Sequence, residues 1–156
     1  MTTTLLFVGK TIDPHIEALN QSYLKRLTHY LPVKVQVIPE LRNTKALTPE
    51  QQKLAEGELI LRSISPNAEL ILLDEHGKEY RSMDFAQVMQ KKMSSGRDLI
   101  FAIGGPYGFS QSVYDRANGK ISLSQMTFSH QMVRLFLIEQ IYRAMTILRG
   151  EPYHHE

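Results

Sequence analysis

The sequence predicts an α/β domain built on a mostly parallel sheet with helices on both faces. Three observations predict it. Apolar runs and helical patterns alternate along the chain as strand, helix, strand, helix, strand, helix, strand, the order that yields a parallel sheet. Leu99-Ile100-Phe101-Ala102-Ile103 is apolar without a break, as expected for a strand covered on both faces. It runs directly into Gly104-Gly105-Pro106-Tyr107-Gly108, and glycines beyond a strand end let a ligand approach the backbone.

The elements follow in order. Thr4 to Val8, closed by Gly9, is a first buried strand. Asp13-Pro14 supplies an N-cap and a proline at the first helical position. Ile16, Leu19, Tyr23, Leu24, Leu27, Tyr30 and Leu31 then keep helical spacing until Pro32. Val33, Val35 and Val37 alternate with Lys34, Gln36 and Ile38 in a second strand, and Glu40 to Leu47 is a polar loop. Thr48-Pro49-Glu50-Gln51 is a capping box opening a helix to Ile64, which Ser65-Pro66-Asn67 breaks. Glu69 to Asp74 is a third strand and Glu75-His76-Gly77-Lys78 a turn. Ser82 is the expected cap of a helix carrying Phe85, Val88, Met89 and Met93 inward, with Gly96 as its stop.

After the organising strand, Ser110 caps a short helix to about Ala117, and Asn118-Gly119 turns the chain into a fifth strand, Ile121 to Ser124. Gln125 to His130 lacks periodicity and is a loop. One long helix then runs from Ser129 or His130 to Arg149, ended by Gly150 and Pro152. That helix is apolar nearly all round, and a helix of this kind must be covered all round; a two-fold dimer packing these helices together is the economical solution. Within it His130 and Arg134 share a side near its start, and Glu139 precedes Arg143 by four residues, the favourable order for a helix ion pair. The tail Tyr153-His154-His155-Glu156 is by default disordered, or else folds over the glycine turn.

Composition narrows the class. The 156 residues are 42% hydrophobic and 22% charged, with a net charge of +2 and no cysteine. One core suffices, so residues 1–156 are expected to form a single domain. Disulfide frameworks, thiolate metal sites and cysteine nucleophiles are excluded, no metal is expected, and a reducing compartment is the expectation. With neither a leader pattern nor an apolar run of membrane-spanning length, the expected location is cytoplasmic, with no membrane partner. The charge permits an RNA partner without arguing for one. No G-x-x-x-x-G-K-[ST] loop occurs and no G-x-G-x-x-G follows the first strand, which removes a generic nucleotide binder from contention.

Several motifs in order carry a more specific reading. They are Leu6-Phe7-Val8-Gly9-Lys10, Ala102 to Gly108, Ser122-Leu123-Ser124-Gln125-Met126-Thr127-Phe128, His130-Gln131-Met132-Val133-Arg134, Glu139-Gln140-Ile141-Tyr142-Arg143-Ala144, and Tyr153-His154. Together, and over essentially the whole chain, they resemble the ribosomal RNA large-subunit methyltransferase H family of SPOUT-class enzymes. The resemblance implies a SPOUT-type α/β fold with a deep trefoil knot near the carboxyl end, a homodimer, and S-adenosyl-L-methionine as cofactor. It implies methylation of N3 of pseudouridine 1915 in the 23S rRNA, on assembled ribosomes. By matching positions, the cofactor is expected against Leu73, Asp74, Gly104, Gly105, Ser124, Gln125, Met126, Thr127, Phe128 and Ser129.

The same resemblance makes His130, Arg134, Arg143, Tyr153 and His154 the candidate catalytic residues. Methyl transfer is a one-step displacement that rests on alignment, and the target imide must lose its proton. His130 is a candidate base and equally a candidate for part of the pocket wall. Arg134, Arg143 and the tail are candidates to stabilise developing charge and to bind phosphate. Two positions depart from the family pattern: Ser129 stands where relatives commonly carry proline, and His155 where some carry arginine, which leaves any phosphate contact there dependent on a charged histidine. A ribosome-binding module that keeps the fold without catalysis remains the competing reading.

Overall fold

The computed structural model describes residues 1–156. Five strands form one sheet: β1 (Thr3–Val8), β2 (Val33–Ile38), β3 (Glu69–Glu79), β4 (Leu99–Ile103) and β5 (Gly119–Ser122). Their order is β2-β1-β4-β3-β5 and every pairing is parallel. Between them lie α1 (Pro14–Leu27), α2 (Pro49–Arg62), α3 (Ser82–Ser94), α4 (Gln111–Arg116) and α5 (Met132–Leu148), with a short 3-10 turn at Thr44–Ala46. No helix is long and apolar enough to cross a membrane.

Strand pleating divides the core in two. Leu5, Phe7, Leu99, Phe101 and Ile103 project to one face, where they meet Leu27 of α1, Phe85 and Met89 of α3, and Leu137, Ile138 and Ile141 of α5. Leu6, Val8, Ile100 and Ala102 project to the other, against Ile60 of α2 and Val113 of α4. Helices on both faces explain why β4 is apolar at every position: each of its five residues is buried.

Local signals hold at several ends. Asp13 accepts from the amides of His15 and Ile16, and the Thr48/Gln51 capping box forms in both directions. Gly150, at φ +68°, closes α5 with the Glu151 amide on the Thr146 carbonyl and its own amide on Ile147, the paired bonds of a Schellman motif.

Other ends differ from expectation. α1 stops at Leu27, because the Thr28 hydroxyl bonds the Lys25 carbonyl and Thr28–Tyr30 turn towards β2. Ser82 is the first helical residue of α3 and not its cap, since its hydroxyl donates to Gln140 of α5 at 2.8 Å. The residues expected to form a turn after Asp74 belong to β3. Leu73 and Lys78 both register with Ile121 of β5, so Asp74 to Gly77 bow out of the ladder as a wide irregularity. A Cβ on Gly77 would lie 2.5 Å from the Ile121 backbone, so only glycine lets the bow return there. β5 itself begins at Gly119, opposite Ile71, and ends at Ser122. Ser124 has already left the sheet, its hydroxyl accepting from the Met126 amide.

The long last helix is covered more fully by its own chain than its composition suggests. Leu137, Ile138, Ile141, Ala144 and Met145 are buried against α1, α3 and the sheet. Met132 and Phe136, near its start, stay exposed. The tail is neither loose nor laid over the glycine turn. It folds back on α1 and α5, where the Tyr153 ring meets Tyr142 edge-on at 4.8 Å and its hydroxyl donates to Glu139 at 2.9 Å.

Candidate functional site

A cleft of about 470 Å³ opens at the carboxyl ends of β3, β4 and β5. Three backbone segments wall it: the bow from Leu73 to His76, the turn from Gly104 to Gly108, and the crossing from Leu123 to Phe128 that leads to His130 and Val133 at the start of α5. Leu73, Ile103, Phe109, Leu123 and Val133 supply apolar surface, while Asp74, Glu75 and Ser124 add polar atoms. Polar and apolar groups share the lining about equally, and a cleft of this volume suits a small-molecule cofactor that carries both.

The bow is held from below. Asp74 accepts from the His76 amide at 2.8 Å and from the Tyr114 hydroxyl of α4, and burial with that carboxylate bond pushes the Tyr114 phenol far up. Tyr114 is itself fixed edge-on to Phe109, 6.0 Å away. In the turn, the Gly108 amide bonds the Gly105 carbonyl at 3.1 Å and Gly108 adopts φ +81°, a conformation that favours glycine.

Behind the turn lies a carboxylate. Glu56 of α2 is buried and takes a single hydrogen bond, from Gln52 at 3.2 Å. Burial raises its pKa above the ordinary glutamate value, with the Gln52 bond opposing. A Cβ on Gly105 would stand 2.8 Å from Glu56 Oε1. The glycine therefore admits Glu56 against the back of the turn as well as a ligand against its front.

Of the expected cofactor residues, Leu73, Asp74, Gly104, Gly105, Ser124, Met126, Thr127 and Phe128 line the cleft together with His130. Gln125 and Ser129 do not: Gln125 donates outward to Glu79, and the Ser129 hydroxyl accepts from the Gln131 and Met132 amides, capping α5.

Arg134 points inward. It is fully buried, with Nε on the His130 carbonyl (3.1 Å), Nη1 on the Gly9 carbonyl and Thr11 hydroxyl (3.0 Å each), and Nη2 on the Val8 carbonyl (2.8 Å). Its guanidinium lies 4.8 Å from the Phe7 ring centre, and burial lowers its pKa. With its donors committed to the protein, it acts on the cleft only through the segment that carries His130. Gln131 adds to the same joint, accepting from the Ile12 amide at 2.8 Å and donating to the Lys10 carbonyl at 3.2 Å.

Arg143, Tyr153 and His154 come together elsewhere. Arg143 pairs with Glu139 at 2.7 Å, as the spacing predicts, and meets His154 Nδ1 at 3.1 Å. Tyr153 bonds Glu139 and Tyr23, and burial with these bonds raises its phenol well above the usual range. None of the three lines the cleft of its own chain. His155 is exposed.

Sequence reasoning missed Glu56, Tyr114, Glu75 and His76. Glu56 and Tyr114 lie on helices whose spacing reads as ordinary packing, and Glu75 and His76 lie in a segment that reads as a turn.

Comparison with known proteins agrees with the geometry. Residues 1–154 match the family model described as "Predicted SPOUT methyltransferase". The curated ribosomal RNA large subunit methyltransferase H of Bacteroides fragilis is 58% identical over 157 residues, covering 100% of each chain. Its counterparts from Bacteroides thetaiotaomicron and Flavobacterium johnsoniae are 56% and 54% identical over the same coverage. Among solved structures, the "Probable Methyltransferase from Bordetella pertussis Tohama I" superposes with a TM-score of 0.59 over 92% of this chain and 93% of that one; at 9% identity this likeness concerns the fold.

Proposed function

The chain belongs to the SPOUT methyltransferase family, and from that premise we propose that it methylates large-subunit ribosomal RNA, transferring a methyl group from S-adenosyl-L-methionine to N3 of pseudouridine 1915 in the 23S rRNA of assembled ribosomes. The observation that carries the reading is the cleft at the carboxyl ends of β3, β4 and β5, bounded by three backbone turns. Its volume suits an adenosine with a folded amino-acid arm, and Asp74 and Glu75 lie in its wall, where carboxylates favour a cationic donor. Bound there, S-adenosylmethionine supplies an activated methyl group.

The chain's own residues then align and deprotonate. Leu73, Gly104, Gly105, Ser124 and Met126 to Phe128 would hold the donor, with His130 in the same wall. His130, beside the donor's expected place, would take up the N3 proton of the target, which leaves that nitrogen free to accept the methyl group the bound donor would supply. Arg134 fixes the His130 carbonyl and with it the angle of the first turn of α5.

A homodimer completes this reading. Met126, Phe128, Met132 and Phe136 form an exposed apolar surface beside the cleft. Packing it against a second copy would bring the partner subunit's Arg143, Tyr153 and His154 towards the cleft that they do not reach in their own chain. There they would stabilise charge on the base and contact phosphate. The carboxyl-terminal trefoil knot and a cytoplasmic site of action belong to the same reading.

The deciding experiment incubates the protein and labelled S-adenosylmethionine with ribosomes lacking the modification, then maps the product by mass spectrometry. Label at N3 of that pseudouridine is expected. Ribosome binding with no transfer would leave a binding module and end the proposal.

A further inference from the structure

At the far end of α5 from the cleft, a second depression of about 380 Å³ is lined by Lys25, Arg26, His29, Tyr30, Tyr142 and Arg149. Four of its six lining residues are basic and two are tyrosines, and no acid lines it. Lys25, Arg26, His29 and Arg149 are exposed, and none lies within 4.0 Å of a carboxylate. The acids of this region are engaged by other donors. Glu151 accepts from the Tyr30 hydroxyl at 2.6 Å, and Glu139 is held by Arg143 and Tyr153.

The two guanidinium groups are pre-positioned. Arg149 stacks over the Tyr30 ring at 4.3 Å and is tied to the His29 carbonyl at 3.2 Å. Arg26 lies 4.9 Å from the Tyr23 ring centre and 5.8 Å from that of Tyr142, and Tyr30 and Tyr142 are themselves packed edge-on at 5.7 Å. An arginine laid on an aromatic ring loses little freedom when it binds. Its N–H edge remains available to phosphate oxygens, and its outer face to a nucleobase.

Resting on the RNA-methyltransferase reading, we infer that this tyrosine-floored basic depression is a docking site for the phosphodiester backbone of the substrate RNA, separate from the cleft of its own chain. α5 rises about 1.5 Å per residue, so the depression lies roughly 25 Å from His130 along the same helix. Contacts there set how tightly the RNA is held and in what register, and leave the reacting atoms alone. Phosphate contacts release counterions, so each lost cation lowers the salt dependence of binding.

The test uses the full-length protein and an RNA stem-loop bearing the target, over a range of salt concentrations. Arg26→Gln and Arg149→Gln should each weaken RNA binding about 3- to 10-fold and reduce the slope of log affinity against log salt by about one. With ribosomes as substrate the loss should appear in KM, while affinity for S-adenosylmethionine stays at the wild-type value. Lys25→Ala, at an exposed position on the rim of the depression, covers the case in which an arginine variant loses its fold, and should give the same reduction in slope.

Arg26→Lys should keep the slope and lose part of the affinity, because charge survives and stacking does not. Heparin at matched charge separates RNA from polyanions in general: the wild type should prefer the RNA, and equal loss of both ligands in the variants would reduce the site to a nonspecific one and overturn the assignment. Unchanged RNA affinity and slope together with a lowered Tm would show that these cations serve only the carboxyl ends of α1 and α5, and would also overturn it. Failure of wild-type methyl transfer with intact, Arg26-dependent RNA binding would count against the enzymatic reading alone.

Discussion

Arg134 and His130 are joined one turn apart at the start of α5: the buried guanidinium of the first donates to the carbonyl of the second at 3.1 Å while its other nitrogens grip the end of β1. One residue thus sets the distance between β1, next to the central strand of the sheet, and the segment that closes the cleft.

Replacing Arg134 with Met should leave the Val8, Gly9 and His130 carbonyls short of a donor, at about 1–3 kcal/mol for each one left unsatisfied. Lysine should not rescue it, since a single ammonium cannot span four acceptors in the plane of a guanidinium. Thermal unfolding with and without S-adenosylmethionine checks this. Both variants should show a lower Tm and a smaller cofactor-induced rise.

Glu56 should make stability depend on pH in a defined sense. Burial raises its folded-state pKa above the unfolded value of about 4.3, so the stability linked to its proton is present below that value and lost as pH climbs through the folded pKa. Glu56→Gln removes the dependence. Its Tm should match the wild type near pH 4 and exceed it at pH 7, by about 2–4 °C for each kcal/mol regained.

Gly105→Ala should strain the turn from behind, because the new Cβ would sit 2.8 and 3.1 Å from the two Glu56 oxygens. Loss of cofactor affinity is expected by calorimetry. Adding Glu56→Ala should restore part of it, and the two substitutions should couple by more than the 0.5 kcal/mol or so expected of independent sites.

Ser129→Ala should cost about 1 kcal/mol by removing the oxygen that accepts from the Gln131 and Met132 amides. Faster amide exchange at Gln131 and Met132 would be the local sign, with the core strands unchanged.

Tyr153→Phe keeps the ring on Tyr142 and removes the hydroxyl bonded to Glu139, so a loss of about 1 kcal/mol is expected. Arg143 continues to hold Glu139. A much larger loss would mean that the tail is anchored mainly through that one hydroxyl.

The sheet was legible because its cause is local: apolar runs such as Leu99 to Ile103 have few alternatives to a doubly covered strand. The cleft was legible through its glycines and through motif order. What stayed hidden depends on tertiary placement. Arg134 reads as a cation beside His130 that meets developing charge or phosphate, and only the fold reveals carbonyl oxygens waiting beneath it. Glu75 to Lys78 reads as a turn because glycine and charge mark turns, whereas here the glycine serves close approach between β3 and β5. Glu56 carries no signal at all, being one acid among several on an amphipathic helix. The dimer rests on a last helix apolar nearly all round as well as on the family reading, and the knot rests on the family reading.

The all-parallel sheet also has a temporal consequence. β1 rests between β2 and β4, and its pairing of Thr3 with Leu99 closes over most of the chain, while β3 must wait for β5 to gain its outer neighbour. A nascent polypeptide emerging from a ribosome cannot complete its central ladder until Ile103 is free, so folding should be post-translational for the most part and slow for a protein of this size. Until then the first strand, six residues all destined for burial, is the segment most in need of shelter from other chains.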